Sequence, residues 1–137
     1  MSLALFNRQR KVPFDTDSVR GRMEKLMDDA GVSQREVSVV LLSDRAIHLM
    51  NRKWRAVDAP TDCLSFPASE GEDARFAGPL LGDIAISLET AIRQARGSLQ
   101  DEVVFLFVHS LLHLMGYDHG TDAESDAMKK KSKELLG

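Results

Sequence analysis

The chain has 137 residues, 43% of them hydrophobic, which predicts one domain, residues 1–137, with a core of its own. No apolar stretch reaches the length of a membrane span, no secretory pattern opens the sequence, and a single cysteine excludes an intrachain disulfide. We therefore expect a cytoplasmic protein without a membrane partner, and the net charge of −3 argues against tight, non-specific binding of nucleic acid.

The first half of the chain alternates predicted strands and helices. Strands are predicted at residues 3–6 and 36–42, and helices at about 15–30 and 44–54. Asp15 or Thr16 can cap the first helix and Ser43 the second. In the second helix Ile47, Met50 and Trp54 recur at helical spacing, so this apolar stripe is predicted to face the core.

The second half predicts two strands, a polar loop and three helices. The strands are residues 62–66 and 80–87, the loop is 71–78, and the helices are 88–95, a helix through 103–115, and 122–136. Thr121 and Glu124 form a capping box for the last helix. Strands and helices do not alternate strictly, which indicates an α+β fold: a small mixed sheet of about four strands packed with about five helices.

Three of the four histidines fall within the run His-Ser-Leu-Leu-His-Leu-Met-Gly-Tyr-Asp-His. His109 and His113 are four residues apart, which places both on one face of a helix, and Gly116 can end that helix in a left-handed conformation. The chain can then turn back and bring His119 over the same end. Three imidazoles are a standard ligand set for zinc and leave a fourth position for water, so the run predicts a metal site at the end of a buried helix.

Hydrogen-bonded core histidines are the alternative explanation for a bare pair at this spacing. Here, however, residues 103–115 are apolar nearly all round, which predicts a buried helix. Two histidines in such a helix are costly unless something binds them. This context favours metal binding.

The residue directly after the first histidine is Ser110, where zinc proteases of the H-E-x-x-H type place a glutamate as general base. Serine cannot take a proton from a metal-activated water, so ordinary metalloprotease chemistry is disfavoured. Cys63 lies far from the histidines in sequence, in a strand-like run. We interpret it as a small core residue rather than a ligand.

Three stretches occur in the order found in one known family. They are the histidine run at 109–119, Asn-Arg-Lys-Trp-Arg at 51–55 followed by Asp-Ala-Pro-Thr-Asp-Cys-Leu-Ser-Phe-Pro at 58–67, and Leu-Gly-Asp-Ile at 81–84. Together they resemble the signature of the YbeY family, the bacterial endoribonucleases of rRNA maturation. Ser110 and Cys63 stand where that family often has glycine and valine, which affects only local packing.

The resemblance implies a single-domain α+β metalloprotein, a single-strand-specific endoribonuclease that matures the 3′ end of small-subunit rRNA and acts in ribosome quality control. It implies the ribosome or a ribosomal protein as partner. The family's functional arginine matches Arg55, which is implied to be catalytic. One zinc ion per chain is implied, held by His109, His113 and His119.

The guanidinium group of Arg55 suits a phosphate, because its planar fork of N–H groups can hold two oxygens and stabilise charge in the transition state. The alternative is a surface salt bridge, for instance to Asp58, since clustered charges are usually solvated. No general base is evident. Attack by a metal-activated water and attack by the RNA's own 2′-hydroxyl are both compatible with the residues.

Three further polar residues have open roles. Asp118 either orients a histidine ring or satisfies the backbone of its turn. His48 shares a helix face with Arg55 and is a candidate proton donor, although a lone helix histidine is more often a surface residue. Asp83 is a charge in an apolar strand, so we expect it to have a partner or to face a site.

Aromatic contacts to RNA are not evident in the sequence. Trp54 and Phe66 are candidates for base stacking, but the place of Trp54 on the apolar stripe predicts a core residue. Binding then depends on a few arginines and on a partner that presents the RNA.

Two other functions are compatible with the sequence. One is a different metal-dependent hydrolase on the same scaffold, such as a peptidase, against which Ser110 counts. The other is a ribosome-associated factor with a structural metal. A fourth protein ligand, or activity unchanged after metal removal, supports that second alternative.

Overall fold

The computed structural model describes residues 3–68 and 79–137. The elements are β1 (Leu3–Asn7), α1 (Asp17–Asp29), β2 (Glu36–Leu42), α2 (Asp44–Arg55), β3 (Cys63–Pro67), β4 (Leu80–Ser87), α3 (Leu88–Gln94), α4 (Leu99–Leu114) and α5 (Asp122–Leu136). Over the described residues, the predicted α+β class with a four-stranded mixed sheet and five helices is confirmed. The polar loop predicted at 71–78 lies outside the described residues.

The four strands form one sheet in the order β1-β2-β4-β3. The β1–β2 and β2–β4 pairs are parallel, as expected where a helix connects strands on one face, and β3 runs antiparallel along β4. This order places β3 at one edge of the sheet, opposite β1. The edge strand β3 packs against α4.

The two faces of the sheet bury separate apolar clusters because strand side chains alternate. On one face Val37, Val39 and Leu41 of β2 join the main core, which also contains residues of α1 and α4. On the other face Val40 and Leu42 belong to a smaller cluster under α2. The sheet therefore separates α2 from the long helix α4.

The last turn of α2 departs from the sequence prediction. Ile47 is buried and Met50 packs against the smaller cluster, but Trp54 is 60% exposed. The prediction that Trp54 faces the core is therefore wrong. The apolar cluster lies under the first turns of α2 and does not extend to the last turn. The helix ends after that turn at Ala56, which has a left-handed conformation with φ 58°.

Polar caps begin the helices largely where the sequence predicts them. The side chain of Ser43 caps α2 and that of Thr121 caps α5. At α1 it is the carboxylate of Asp15, rather than the hydroxyl of Thr16, that accepts a backbone N–H. None of the described helices is both long and apolar enough to cross a membrane.

Candidate metal centre

The three histidines of the predicted site meet at the C-terminal end of α4. His109 and His113 lie one turn apart on this mostly buried helix. Gly116 has a φ of 101° and its amide donates to the His113 carbonyl, so the chain turns back as expected. One ring nitrogen from each of His109, His113 and His119 then lies within 4.8 Å of the other two.

The protonation of these rings suits a metal ion. The Nδ1 atom of His113 lies 3.0 Å from the carbonyl oxygen of Tyr117. Because a carbonyl only accepts, Nδ1 is the donor, and the neutral form of this ring therefore carries its lone pair on Nε2. Burial, and then the neighbouring His113, lower the pKa of His109, so its ring is neutral at pH 7. Neutral imidazoles are the form that binds metals.

The cluster is open on one side. Among the residues that the structure describes, no further histidine, cysteine or carboxylate belongs to it. His119 is exposed, whereas His109 and His113 are half-buried. Three nitrogen donors with solvent on the remaining side fit a zinc-type site that keeps water.

The histidines line a pocket of about 560 Å³ between α4 and the edge strand β3. The hydroxyl of Ser65 donates to the Ser110 carbonyl at 3.3 Å, which ties this strand to the histidine helix. Residues from β3 and the segment before it form the facing wall: Thr61, Asp62, Cys63, Leu64, Ser65 and Pro67.

The side chain of Arg55 also lines this pocket. Arg55 is the last residue of α2, and the left-handed Ala56 ends the helix directly after it. Its guanidinium group donates to the Ser65 carbonyl and lies over the Phe66 ring, with Cζ 4.9 Å from the ring centroid. These contacts with β3 place a positive charge in the same pocket as the three histidines.

Cys63 and Ser110 meet behind the pocket wall. Cys63 packs against the main core, as expected, but it also lines the pocket, which the sequence did not indicate. Burial raises the pKa of its thiol to about 12, so Cys63 is protonated at neutral pH. The hydroxyl of Ser110 is buried, and its contact with the thiol falls short of hydrogen-bond geometry; within the described chain it has no other partner.

The structure separates the remaining candidate residues. Nε2 of His48 lies 2.8 Å from Oδ1 of Asp58, and His48 does not line the pocket. Asp83 is exposed and is not a pocket residue either. Asp118 lines the pocket, but its carboxylate accepts the His119 amide at 2.7 Å, which is the turn role. The acceptor that orients a ring is the Tyr117 carbonyl instead.

Asp62 is a pocket residue that sequence reasoning missed. Its carboxylate accepts the Cys63 amide at 2.7 Å and the Gln94 side chain at 3.3 Å, and its charge favours the protonated form of His109. Asp62 lies in the stretch 58–67 that resembles the YbeY signature. No local pattern, however, indicated that β3 lies beside α4.

Comparison with known proteins identifies the family. The family model described as Endoribonuclease YbeY matches residues 4–137. The chain belongs to the YbeY family. The match includes α2, β3 and α4, the three elements that build the pocket.

Individual YbeY proteins align over almost the whole chain. The protein named Endoribonuclease YbeY from Pelotomaculum thermopropionicum is 43% identical over 148 residues, covering 100% of this chain and 96% of its own length. The one from Syntrophus aciditrophicus is 38% identical over 141 residues, covering 99% and 88%. The solution structure of TM1509 from Thermotoga maritima matches with a TM-score of 0.65 at 25% identity, covering 98% of this chain and 86% of that one.

Proposed function

We propose that this protein is a metal-dependent, single-strand-specific endoribonuclease of the cytoplasm, whose residues 1–137 form one domain. Its proposed role is 3′-end maturation of small-subunit rRNA and ribosome quality control. The observation that carries the proposal is the meeting of three histidines and Arg55 in one pocket. The names of the YbeY relatives, which are endoribonucleases, support RNA as the substrate.

In this proposal His109, His113 and His119 hold one zinc ion per chain. Zinc bound there supplies a Lewis acid that polarises a phosphoryl oxygen and acidifies water. The Tyr117 carbonyl fixes the tautomer of His113, and the exposed side of His119 leaves room for solvent and a phosphate. The donor type, the number of donors and the neutral ring of His109 agree with this assignment.

Arg55 is proposed to be catalytic. Its contacts with the Ser65 carbonyl and the Phe66 ring hold the guanidinium group at the pocket. From there it binds a phosphodiester beside the histidines and stabilises the charge that builds up on the phosphoryl oxygens.

The ribosome or a ribosomal protein is proposed to present the RNA. A pocket of about 560 Å³ is the size of a small-molecule site and takes only a short piece of a strand. The net charge of −3 adds little attraction for a long RNA. Recognition of the rRNA is therefore assigned to a partner.

Replacing Arg55 tests the proposal. We expect Arg55→Ala to keep the metal content of the wild type and to cut a single-stranded RNA with the small-subunit rRNA 3′ end about 100-fold more slowly, because a transition-state donor is lost. Arg55→Lys retains charge but not the planar fork, so its rate lies between the two. The measurements are metal analysis and a cleavage time course on each preparation.

Arg45→Ala is the matched control, because Arg45 is an exposed arginine in the first turn of α2 and does not line the pocket. It is expected to cleave at the wild-type rate. Equal cleavage by Arg55→Ala and the wild type would remove Arg55 from the chemistry.

A further inference from the structure

The last turn of α2 presents an aromatic side chain among cations. Trp54, the only tryptophan of the chain, is 60% exposed, and Arg52, Lys53 and Arg55 surround it in sequence. The ammonium group of Lys53 lies 4.9 Å from the centroid of the Trp54 ring system. A chain with a net charge of −3 thus concentrates positive charge around one exposed indole.

This turn adjoins the histidine pocket. Arg55, the next residue after Trp54, lines the pocket, and neighbouring Cα atoms are about 3.8 Å apart. Trp54 itself does not line the pocket, so a base that stacks on it lies outside the pocket, on a nucleotide next to the phosphate at Arg55.

We propose that Trp54 is a stacking platform for a base of single-stranded RNA next to the phosphate bound by Arg55; this rests on the proposed function. Non-specific proteins hold single strands by combining positive charge with aromatic rings, and stacking tolerates any base because every base has a π-face. The cations of this turn bind the phosphates and the indole binds a base.

Phe66, another aromatic residue near the pocket, does not fit this role as well. Its side chain is half-buried against the cluster under α2, so less of its ring is open to a base. Trp54 offers the larger exposed ring, so the geometry selects it as the base contact.

Intrinsic fluorescence gives a direct test, because Trp54 is the only tryptophan. The full-length, metal-loaded protein is titrated with a 2′-O-methyl oligoribonucleotide of about ten nucleotides, and with an abasic oligonucleotide of equal length and charge. A stacked base quenches the indole. We expect strong quenching by the first probe and little by the second, with the probes checked on a gel to be intact.

Variants separate the contribution of the Trp54 ring to RNA affinity from that of the neighbouring cations. Trp54→Ala should raise the Kd of the labelled oligonucleotide about tenfold, measured by fluorescence anisotropy, and Trp54→Phe should recover most of the affinity. Phe6→Ala is the matched control. Phe6 is also an exposed aromatic residue with a cation over its ring, Arg8, but it lies on β1 at the opposite edge of the sheet from β3.

The outcomes distinguish this inference from the proposed function. If the wild type binds and cuts RNA, yet Trp54→Ala has the same Kd and the indole is not quenched, stacking at Trp54 is wrong and the nuclease proposal stands. If RNA quenches the indole but is never cut, the base contact stands and the nuclease proposal fails. If the wild type neither binds nor cuts RNA, both are wrong.

Discussion

Asp44 links the start of α2 to α3. One carboxylate oxygen accepts the hydroxyls of Ser87 and Thr90, each at 2.6 Å, and the other accepts the Arg93 guanidinium at 2.8 Å. Burial by itself raises the pKa of Asp44, but these three donors outweigh it and hold the pKa below its ordinary value. The charged form of Asp44 therefore stabilises the folded state.

The contribution of Asp44 should depend on pH in a defined direction. A carboxyl whose pKa is lower in the folded state stabilises the fold above its unfolded pKa of about 3.9, and this is lost as the pH falls through the folded value. We expect Asp44→Asn to cost about 1 to 2 kcal/mol at pH 7 and clearly less near pH 3. Urea denaturation of both proteins at the two pH values measures this, and an equal cost at both would contradict it.

The histidine cluster shows how much of a site can be predicted from its residue types. The spacing of His109, His113 and His119, with Gly116 between the last two, was enough to predict that they meet. The acceptor for His113 was not predictable, because every residue carries a carbonyl and only the path of the turn decides that the Tyr117 carbonyl faces the ring.

At the scale of single elements, α2 shows the limit of an apolar stripe. Helical spacing correctly predicted which face of α2 packs against the sheet, since Ile47 is buried. It did not tell how far the neighbouring cluster extends, and the cluster does not include the turn that carries Trp54. Periodicity reports the direction of a side chain but not where its packing partner ends.

Replacing Ser110 within α4 and replacing Ser98 at its N-cap are expected to change the stability of the fold in opposite directions. Ser110→Ala should raise the free energy of unfolding by about 1 kcal/mol, because it removes a buried hydroxyl without a good hydrogen bond. Ser98→Ala should lower it by about 1 kcal/mol, because the Ser98 hydroxyl caps α4 by accepting the Asp101 amide at 3.0 Å. Urea denaturation measures both. A loss of stability in Ser110→Ala would show that its hydroxyl has a partner.

Atoms of β3 and α4 lie close against Gly82 of β4. A Cβ there would lie 2.6 Å from the Phe66 carbonyl oxygen and 2.6 Å from Cδ2 of Leu114, and its φ is 156°. We expect Gly82→Ala to cost about 2 to 4 kcal/mol and to weaken metal binding, because Leu114 follows His113.

Gly21→Ala is the control for this substitution. Gly21 lies within α1, and a Cβ there meets nothing within 4 Å, so this variant should be more stable by up to about 1 kcal/mol. Thermal unfolding and zinc titration compare the two variants. A stable Gly82→Ala with unchanged zinc affinity would show that β4 relaxes freely at this point.

At the scale of the molecule, the pocket depends on the strand order. The patterns predicted most elements near their observed bounds, but no local signal places β3 beyond β4 and beside α4. That placement joins Ser65 to Ser110, 45 residues away, and brings Arg55 and Asp62 to the histidines. Local periodicity carries no information about such distant pairings.

The most direct test of the account measures metal content and RNA cleavage on one preparation each of the wild type, His113→Ala and His48→Ala. His48 is the control because it bonds to Asp58 and does not line the pocket.

We expect the wild type and His48→Ala to hold about one zinc per chain and to cut single-stranded RNA with the small-subunit rRNA 3′ end, and His113→Ala to lose both zinc and cleavage. A metal-free wild type that cuts as fast as the zinc-loaded protein, or a His113→Ala that keeps its zinc and its rate, would contradict a catalytic three-histidine metal centre.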